Sequence, residues 1–217
     1  MNPLNKMQTD AEEKFKSGFK CLKFKIGALN WKDEFNLLKS IRKKYGEKIE
    51  IRVDANGAFN SKNVFKVLEE LRKLKIHSIE QPIKPGNFNL MKKIVSESGV
   101  PIAFDEELIG LRLDQIFMLM GEIRPQYVIL KPSLLGGMNK CDLIIEKAEK
   151  KKIGWWATSA LESNIGLNAI AQWVSTKNTK MPQGLGTGAL FKNNIASPLI
   201  IKKDQLWMSN AKWKMPF

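Results

Sequence analysis

Short apolar segments alternate along the chain with longer amphipathic ones. Seven segments have the pattern of strands, and they lie at 20–27, 49–56, 76–83, 100–108, 127–133, 154–161 and, more briefly, 182–188. Helical spacing fills the gaps, for example at 33–45 and at 61–74, where apolar positions form one stripe behind a capping Asn60 or Ser61. One strand and one helix per repeat predict an α/β fold.

A polar residue ends almost every predicted strand. These residues lie 25 to 29 positions apart and are Lys25, Asp54, Glu80, Asp105, Lys131 and Ser159. Within the first strand, Lys23 and Lys25 alternate with apolar residues, so the strand has one polar and one apolar face. A doubly wound sheet also alternates strands and helices, but it does not require a polar residue at the same place in every strand. We therefore predict a parallel TIM-type (β/α) barrel, whose strand ends converge on one mouth.

Three carboxylates end three consecutive predicted strands: Asp54, Glu80 and Asp105. A single acid of this kind commonly forms a salt bridge or caps a helix. Three that converge repel one another, and a divalent cation relieves that repulsion. Magnesium prefers oxygen ligands and keeps positions open for water or substrate. The sequence therefore predicts a Mg2+ site, with Mn2+ as a substitute.

Lysines are expected on two sides of this site. Lys23 and Lys25 share the polar face of one strand, and Lys131 ends the strand after the last acid. A lysine close to other cations has a lowered pKa, so its amine can act as a base. This arrangement suits proton abstraction next to a carboxylate, where a metal stabilises the enediolate that develops.

Composition and charge exclude several other classes. The 217 residues carry a net charge of +14, but only five of the 36 basic residues are arginine. The lysines lie mostly in helical stretches such as 39–48 and 146–152, so a solvated surface explains the charge better than a nucleic-acid partner. No apolar stretch has the length of a membrane helix, and 1–16 contains no apolar run of a secretory signal. Two isolated cysteines predict free thiols in the cytoplasm.

Several short motifs resemble a known family. The motifs are K-F-K at 23–25, V-D-A-N at 53–56, I-E-Q-P at 79–82, D-E-E at 105–107 and L-K-P at 130–132. Together they resemble the muconate-lactonizing subgroup of the enolase superfamily. The segments 158–173 and 182–188 are similar to those of the o-succinylbenzoate synthases of menaquinone biosynthesis. The resemblance covers about residues 10–200 and implies the C-terminal barrel domain of that superfamily.

The resemblance implies a role for each lysine and each acid. Lys25 resembles the general base, which then acts as the acid when hydroxide leaves, and Lys23 resembles its supporting lysine. Lys131 is similar to the cation that faces the enediolate from the opposite side. The three predicted metal ligands match those of the family.

The resemblance also extends to residues around these groups. Asn56 and Glu106 match positions that orient the metal ligands. A further set resembles the region that accepts the second carboxylate of the substrate, through backbone N–H groups, and consists of Ser159, Gly184, Gly186 and Gly188. The implied reaction is a carbon–oxygen lyase reaction, the dehydration of a cyclohexadiene carboxylate to o-succinylbenzoate. The expected partner is therefore a small anionic carboxylate, with no nucleic acid and no membrane.

Other functions remain open on the sequence. A racemase of N-acylamino acids or a dipeptide epimerase of the same superfamily would use Lys25 and Lys131 as two bases on opposite faces. An inactive barrel remnant or a basic binding module is the alternative from another class. Deuterium exchange and magnesium binding separate these alternatives.

The chain is short for a barrel of this type, which usually has about 250 residues. The segment before residue 20 predicts a helix but no strand. We therefore expect 1–197 to be an incomplete barrel without its first strand and without the N-terminal capping domain of the family, and 198–217 to pack on that cap. Either the chain is a fragment, or another chain complements it, as an N-terminal fragment or a second copy. We expect weak or no activity from the isolated chain.

Overall fold

Six strands form one parallel sheet in the computed structural model, which describes residues 4–188 and 190–213. They are β1 (Cys21–Lys25), β2 (Glu50–Asp54), β3 (Ser78–Glu80), β4 (Ile102–Phe104), β5 (Tyr127–Leu130) and β6 (Gly154–Ala157). Each strand pairs with the next one in the chain. This order, with a helical connection after each strand, is that of a (β/α) barrel and confirms the predicted fold class.

Helices connect the strands and cover one face of the sheet. They are α1 (Leu4–Lys16), α2 (Trp31–Tyr45), α3 (Val64–Lys73), α4 (Phe88–Glu97), α5 (Leu113–Glu122), α6 (Pro132–Leu135), α7 (Met138–Lys150) and α8 (Asn164–Ser175), with a 3-10 turn at Gly46–Lys48. The helix predicted at 61–74 begins three residues later, because 61–63 form a turn. In this turn the backbone carbonyl of Asn60 accepts the N–H groups of Asn63 and Val64. None of the described helices has both the length and the apolar character needed to cross a lipid bilayer.

The two faces of the sheet pack differently. On the outer face, Ile51 and Val53 of β2 belong to one continuous core with Leu38 of α2 and Leu71 of α3. On the inner face, Trp156 packs with Ala103 and Ile129 in a separate small cluster. Side chains alternate between the faces along each strand, so the polar residues on the inner face point away from the helices.

The seventh predicted strand is not found. Within the described residues, 182–188 make a single bridge between Gly184 and Thr158 rather than a strand. Three of these seven residues are glycines, which have no side chain to pack against neighbouring strands, and this weakens strand formation. The sheet consequently stays open between β1 and 182–188, and in the described part of the chain β1 pairs only with β2. The guanidinium of Arg52 reaches across the interior, where it lies over the Trp156 ring and donates to the Pro182 carbonyl at 3.0 Å.

A hairpin follows the barrel strands. It consists of β7 (Leu199–Lys202) and β8 (Gln205–Met208), which pair antiparallel. Trp207 and Met208 are about half exposed on it. The expectation that 198–217 pack on a capping domain stays a prediction, and 214–217 lie outside the described residues.

Candidate active site

The predicted acids lie at the carboxyl ends of neighbouring strands. Asp54 is the register partner of both Lys25 in β1 and Glu80 in β3, so the three residues share one level of the sheet. Asp105 directly follows β4. The side chains of the three acids are buried, with only 1–2% of each residue exposed. Burial of three acids together is costly unless each finds a counter-charge.

Lysines supply that counter-charge in this structure. The Nζ of Lys23 lies 3.1 Å from Asp54 Oδ2 and 2.9 Å from Glu80 Oε2. The Nζ of Lys25 lies 3.4 Å from Asp54 Oδ2. On the other side of the acids, Lys131 donates to Asp105. The structure thus brings all six predicted ionic side chains to one mouth, while their roles stay predictions.

The two residues predicted to orient the ligands contact each other. Asn56 Nδ2 donates to Glu106 Oε1 at 2.8 Å, and the Asn56 N–H donates to Asp54 Oδ1 at 3.1 Å. Lys25 in turn donates to the Asn56 amide oxygen. Asn56 therefore joins Lys25, Asp54 and Glu106, which lie in the segments of β1, β2 and the loop after β4.

The charges in the site shift its pKa values in different directions. Burial raises the pKa of Glu80 to about 8; Asp54 and Asp105 add to this rise, and Lys23 opposes it. Burial would also raise the pKa of Asp54, but Lys23 and Lys25 outweigh it, so that pKa is lowered. Glu80 thus faces two other acids and shares a lysine, and it holds a proton more tightly than Asp54 does.

Carboxylates determine the direction of the Lys23 pKa shift in this structure, and the expectation that a lysine beside a cation has a lowered pKa stays a prediction. Burial would lower the pKa of Lys23, but Glu80 and Asp54 outweigh it and raise the pKa above its usual value. The reason is that the groups nearest its ammonium are carboxylates and not cations. Lys23 is therefore a charged partner of the acids here, which suits a supporting role better than that of a base.

The acids suit a hard cation chemically but are not arranged around one. Among residues 4–188 and 190–213, no group of three or more His, Cys, Asp or Glu side chains is placed to hold a metal ion. The acids point at the lysines instead. Two carboxylate oxygens, Glu80 Oε1 and Glu106 Oε2, are nevertheless buried without a hydrogen-bond partner in the described part of the chain. The donor set consists of oxygens alone and includes an unpartnered buried oxygen of Glu80, and both features fit the ligands that Mg2+ prefers.

The predicted substrate region is only partly gathered. Ser159 lies at the end of β6, where its Oγ is 2.7 Å from Thr187 Oγ1 and its N–H donates to the Gly184 carbonyl at 3.3 Å. A Cβ on Gly184 would lie 2.6 Å from Thr158 Oγ1, and one on Gly188 2.7 Å from Asn164 Oδ1. Close packing therefore accounts for these two glycines. Binding of a carboxylate by this run, Gly186 included, stays a prediction.

Two buried polar residues beside the acids, Gln81 and Glu107, were not among the site residues predicted from the sequence. Gln81 directly follows Glu80, and Glu107 lies two residues after Asp105. Their side chains hydrogen-bond at 2.8 Å, and both are buried. The available signal was their place inside the motifs I-E-Q-P and D-E-E, where a polar residue next to a predicted ligand calls for a partner.

Residues 6–207 match the family described as enolase C-terminal domain-like. The chain belongs to this family. Among the curated relatives, an o-succinylbenzoate synthase of Desulfotalea psychrophila is 48% identical over 204 residues, which are 94% of this chain and 55% of that protein. An L-Ala-D/L-Glu epimerase of Bacillus subtilis is 25% identical and covers 94% of this chain and 53% of its own length.

Solved structures are similar over the same part. The crystal structure of MenC from Desulfotalea psychrophila has a TM-score of 0.88 and 46% identity, and the match covers 95% of this chain and 57% of that one. A muconate lactonizing enzyme from Pseudomonas fluorescens, complexed with muconolactone, also has a TM-score of 0.88, at 26% identity. The chain spans about half the length of the curated relatives it matches. The predicted enolase-superfamily barrel is thereby confirmed.

Proposed function

We propose that this chain carries the catalytic barrel of a magnesium-dependent o-succinylbenzoate synthase of menaquinone biosynthesis. The observation that carries the proposal is the set of three buried acids that lie between lysines on two sides at one barrel mouth. The 48% identity to the synthase of Desulfotalea psychrophila supports this reaction over the others of the superfamily. The substrate is a cyclohexadiene carboxylate, whose negative charge suits a chain of net charge +14.

The acids hold the cation and the lysines move the proton. Asp54, Glu80 and Asp105 are the proposed ligands, and Asn56 and Glu106 orient them. When bound, Mg2+ supplies positive charge that stabilises the negative charge developing on the substrate carboxylate. With Asp54, Glu80 and Asp105 holding the cation, the lysine amines that now contact these acids would be available to the substrate.

Lys25 is the proposed base because its side chain is 55% exposed at the mouth, whereas that of Lys23 is 34% exposed. In the proposed role of base, the Nζ of Lys25 takes the proton from the carbon next to the carboxylate. It then returns that proton to the leaving hydroxide, so that one C–H and one C–O bond break, a C=C bond forms and water leaves. Lys131, 16% exposed beside Asp105, faces the substrate as a cation from the other side.

The surroundings of the barrel are part of the proposal. We place the enzyme in the cytoplasm, where Cys21 and Cys141 stay free, as they are in the structure. The half-exposed Trp207 and Met208 of the hairpin suit packing on a capping domain, whether in a longer chain, a complementing chain or a second copy. Ser159 and the glycine run 184–188 are proposed to receive the second substrate carboxylate.

An epimerase is the second candidate. Lys25 and Lys131 lie on opposite sides of the acids, as two bases require, and the Bacillus subtilis relative is named an L-Ala-D/L-Glu epimerase. Such an enzyme exchanges the α-proton of both enantiomers with solvent. A synthase instead uses one base on one face of the substrate, and both the proton and the hydroxide leave from that face.

The test is turnover of the cyclohexadiene carboxylate by the purified chain with Mg2+, alone and mixed with the portion of the Desulfotalea psychrophila protein outside the matched 55%. We expect weak or no turnover by the chain alone and a Mg2+-dependent gain in the mixture. Lys25→Ala should lower kcat by about 100- to 10,000-fold, while Lys43→Ala on the exposed face of α2 should not change it. Exchange of both enantiomers of a dipeptide without dehydration would establish the epimerase, and no Mg2+ binding would establish an inactive remnant.

A further inference from the structure

Gln81 has a position that packing alone does not require. It directly follows the proposed ligand Glu80, it is fully buried, and its backbone φ is +40°. A non-glycine residue with positive φ is strained, and such strain persists where the surrounding contacts fix the residue. The contacts of Gln81 should therefore show which interactions keep its backbone in this conformation.

The side-chain amide of Gln81 uses both of its polar atoms. Its Oε1 accepts the N–H of Glu107 at 3.0 Å and, more weakly, that of Asp105 at 3.4 Å. Its Nε2 donates to the Ile83 carbonyl at 2.9 Å and to Glu107 Oε2 at 2.8 Å. The amide thus ties the segment after β3 to the segment after β4, which carries Asp105.

The backbone of Gln81 extends this connection to the third acid. Its carbonyl accepts the N–H of Gly57 at 2.7 Å, in the loop that follows Asp54 and Asn56. Its own N–H donates to the Ala103 carbonyl of β4 at 3.0 Å. One residue therefore contacts the segments that carry all three proposed metal ligands.

Glu107 completes the arrangement from the other side. It is 3% exposed, and its Oε1 accepts the Gly86 N–H at 2.9 Å while Oε2 accepts from Gln81. A buried carboxylate is tolerated when its oxygens are hydrogen-bonded. Each oxygen of Glu107 has such a donor, so its side chain is not free to turn towards the mouth as a ligand.

We propose that Gln81 and Glu107 form a positioning pair, which sets the spacing among Asp54, Glu80 and Asp105 and thereby the affinity of the site for a divalent cation. The inference rests on the proposed metal site. Neither residue is a proposed ligand, because their polar atoms bond to each other and to backbone groups rather than to the lysines at the mouth. A purely structural role would change the stability of the chain, whereas a positioning role also changes metal affinity.

The experiment measures Mn2+ binding to the 217-residue chain by electron paramagnetic resonance of the free ion, with thermal unfolding recorded on the same samples. We expect Gln81→Leu, Gln81→Glu and Glu107→Gln each to weaken Mn2+ binding by about 10- to 100-fold, as is usual when groups that orient metal ligands are removed. The double variant Gln81→Glu/Glu107→Gln should recover part of the loss, because it restores a carboxylate–amide hydrogen bond.

Two control variants separate positioning from general destabilisation. Leu38→Ala removes buried contacts in α2, away from the site, and lowers the unfolding midpoint. Gln126→Leu removes a glutamine bond to the backbone, from the Ile102 N–H at 2.9 Å, at the opposite end of β4. Both should bind Mn2+ like the parent chain.

The outcomes are distinguishable. If the Gln81 and Glu107 variants bind Mn2+ as tightly as the parent chain does, even with lowered unfolding midpoints, the pair has a structural role only. That result would overturn the inference. An equal loss of affinity in Leu38→Ala would do the same. If Gln81→Leu does not fold, Glu107→Gln is the smaller change and decides the question. A parent chain that binds no Mn2+ would refute the metal site itself, and with it the positioning role.

Discussion

The burial of Glu80 beside two other acids should be measurable in the metal-free chain. Its pKa is raised from 4.5 to about 8, first by burial and then by Asp54 and Asp105. A carboxyl whose pKa is raised on folding holds its proton more tightly in the folded state. Its contribution to stability is therefore complete below pH 4.5 and is lost as the pH rises through about 8.

The substitution Glu80→Gln isolates this effect, because glutamine resembles the protonated acid at every pH. At about 1.4 kcal/mol per pKa unit, the linkage between pH 5 and pH 9 amounts to about 4 kcal/mol. We expect the free energy of unfolding of Glu80→Gln to rise by this amount relative to the parent across that range. The substitution also removes the 2.9 Å contact with Lys23. This loss mainly changes the difference in unfolding free energy between the two proteins by a constant amount, and it affects the pH dependence of that difference less.

Urea denaturation at both pH values, with a chelator present, checks the prediction. Titrating groups that do not interact with Glu80 cancel in the difference, whereas Asp54, Asp105 and Lys23 interact with it and contribute to the measured value. Glu122→Gln, which changes an exposed acid at the end of α5, controls for removal of a carboxylate. A difference between Glu80→Gln and the parent that stays constant with pH would show that the Glu80 pKa is not raised. Saturating Mg2+, at about 100 times Kd, should add about 2.7 kcal/mol to the parent alone.

Two further predictions follow from backbone geometry and from burial. Gly57→Ala should cost more than about 1 kcal/mol in urea denaturation, because φ is +72° and the new Cβ would lie 3.0 Å from the Lys84 backbone. Gly46→Ala, at φ +61° with open space around it, has the backbone strain without the contact and should cost less. Burial raises the pKa of Cys21 and that of Cys141 to about 12, so both thiols should react with a disulfide reagent at pH 8 only after unfolding. Rapid reaction in the native chain would contradict that prediction.

The repeat of strand and helix could be predicted because its physical causes are local. Alternation along β1 separates Lys23 and Lys25 from the apolar face, and the parallel register then places Asp54 next to Lys25. A polar residue at the end of each strand can be recognised from the local sequence, without information on distant contacts. For the same reason, the convergence of the acids and lysines at one mouth was predictable.

Other features depend on contacts that the sequence does not display. The run 182–188 reads as a strand, but its pairing depends on whether a neighbour lies on each side, and only Gly184 forms a bridge. The role of Gln81 depends on the segments after β2 and β4, which its sequence neighbours do not reveal. The pKa direction of Lys23 depends on which charges lie nearest, and a cluster of six ions allows either sign.

The hydrogen bond between Arg52 and Pro182 bears on the order in which the chain folds. Neighbouring strands follow each other closely in the chain, whereas this bond joins residues 130 positions apart. Contacts that close long loops form late, because the chain loses conformational entropy on closure before the contact stabilises it. We therefore expect the sheet to assemble progressively from sequential units, with 182–188 docking in a slower final phase that Arg52→Lys would delay.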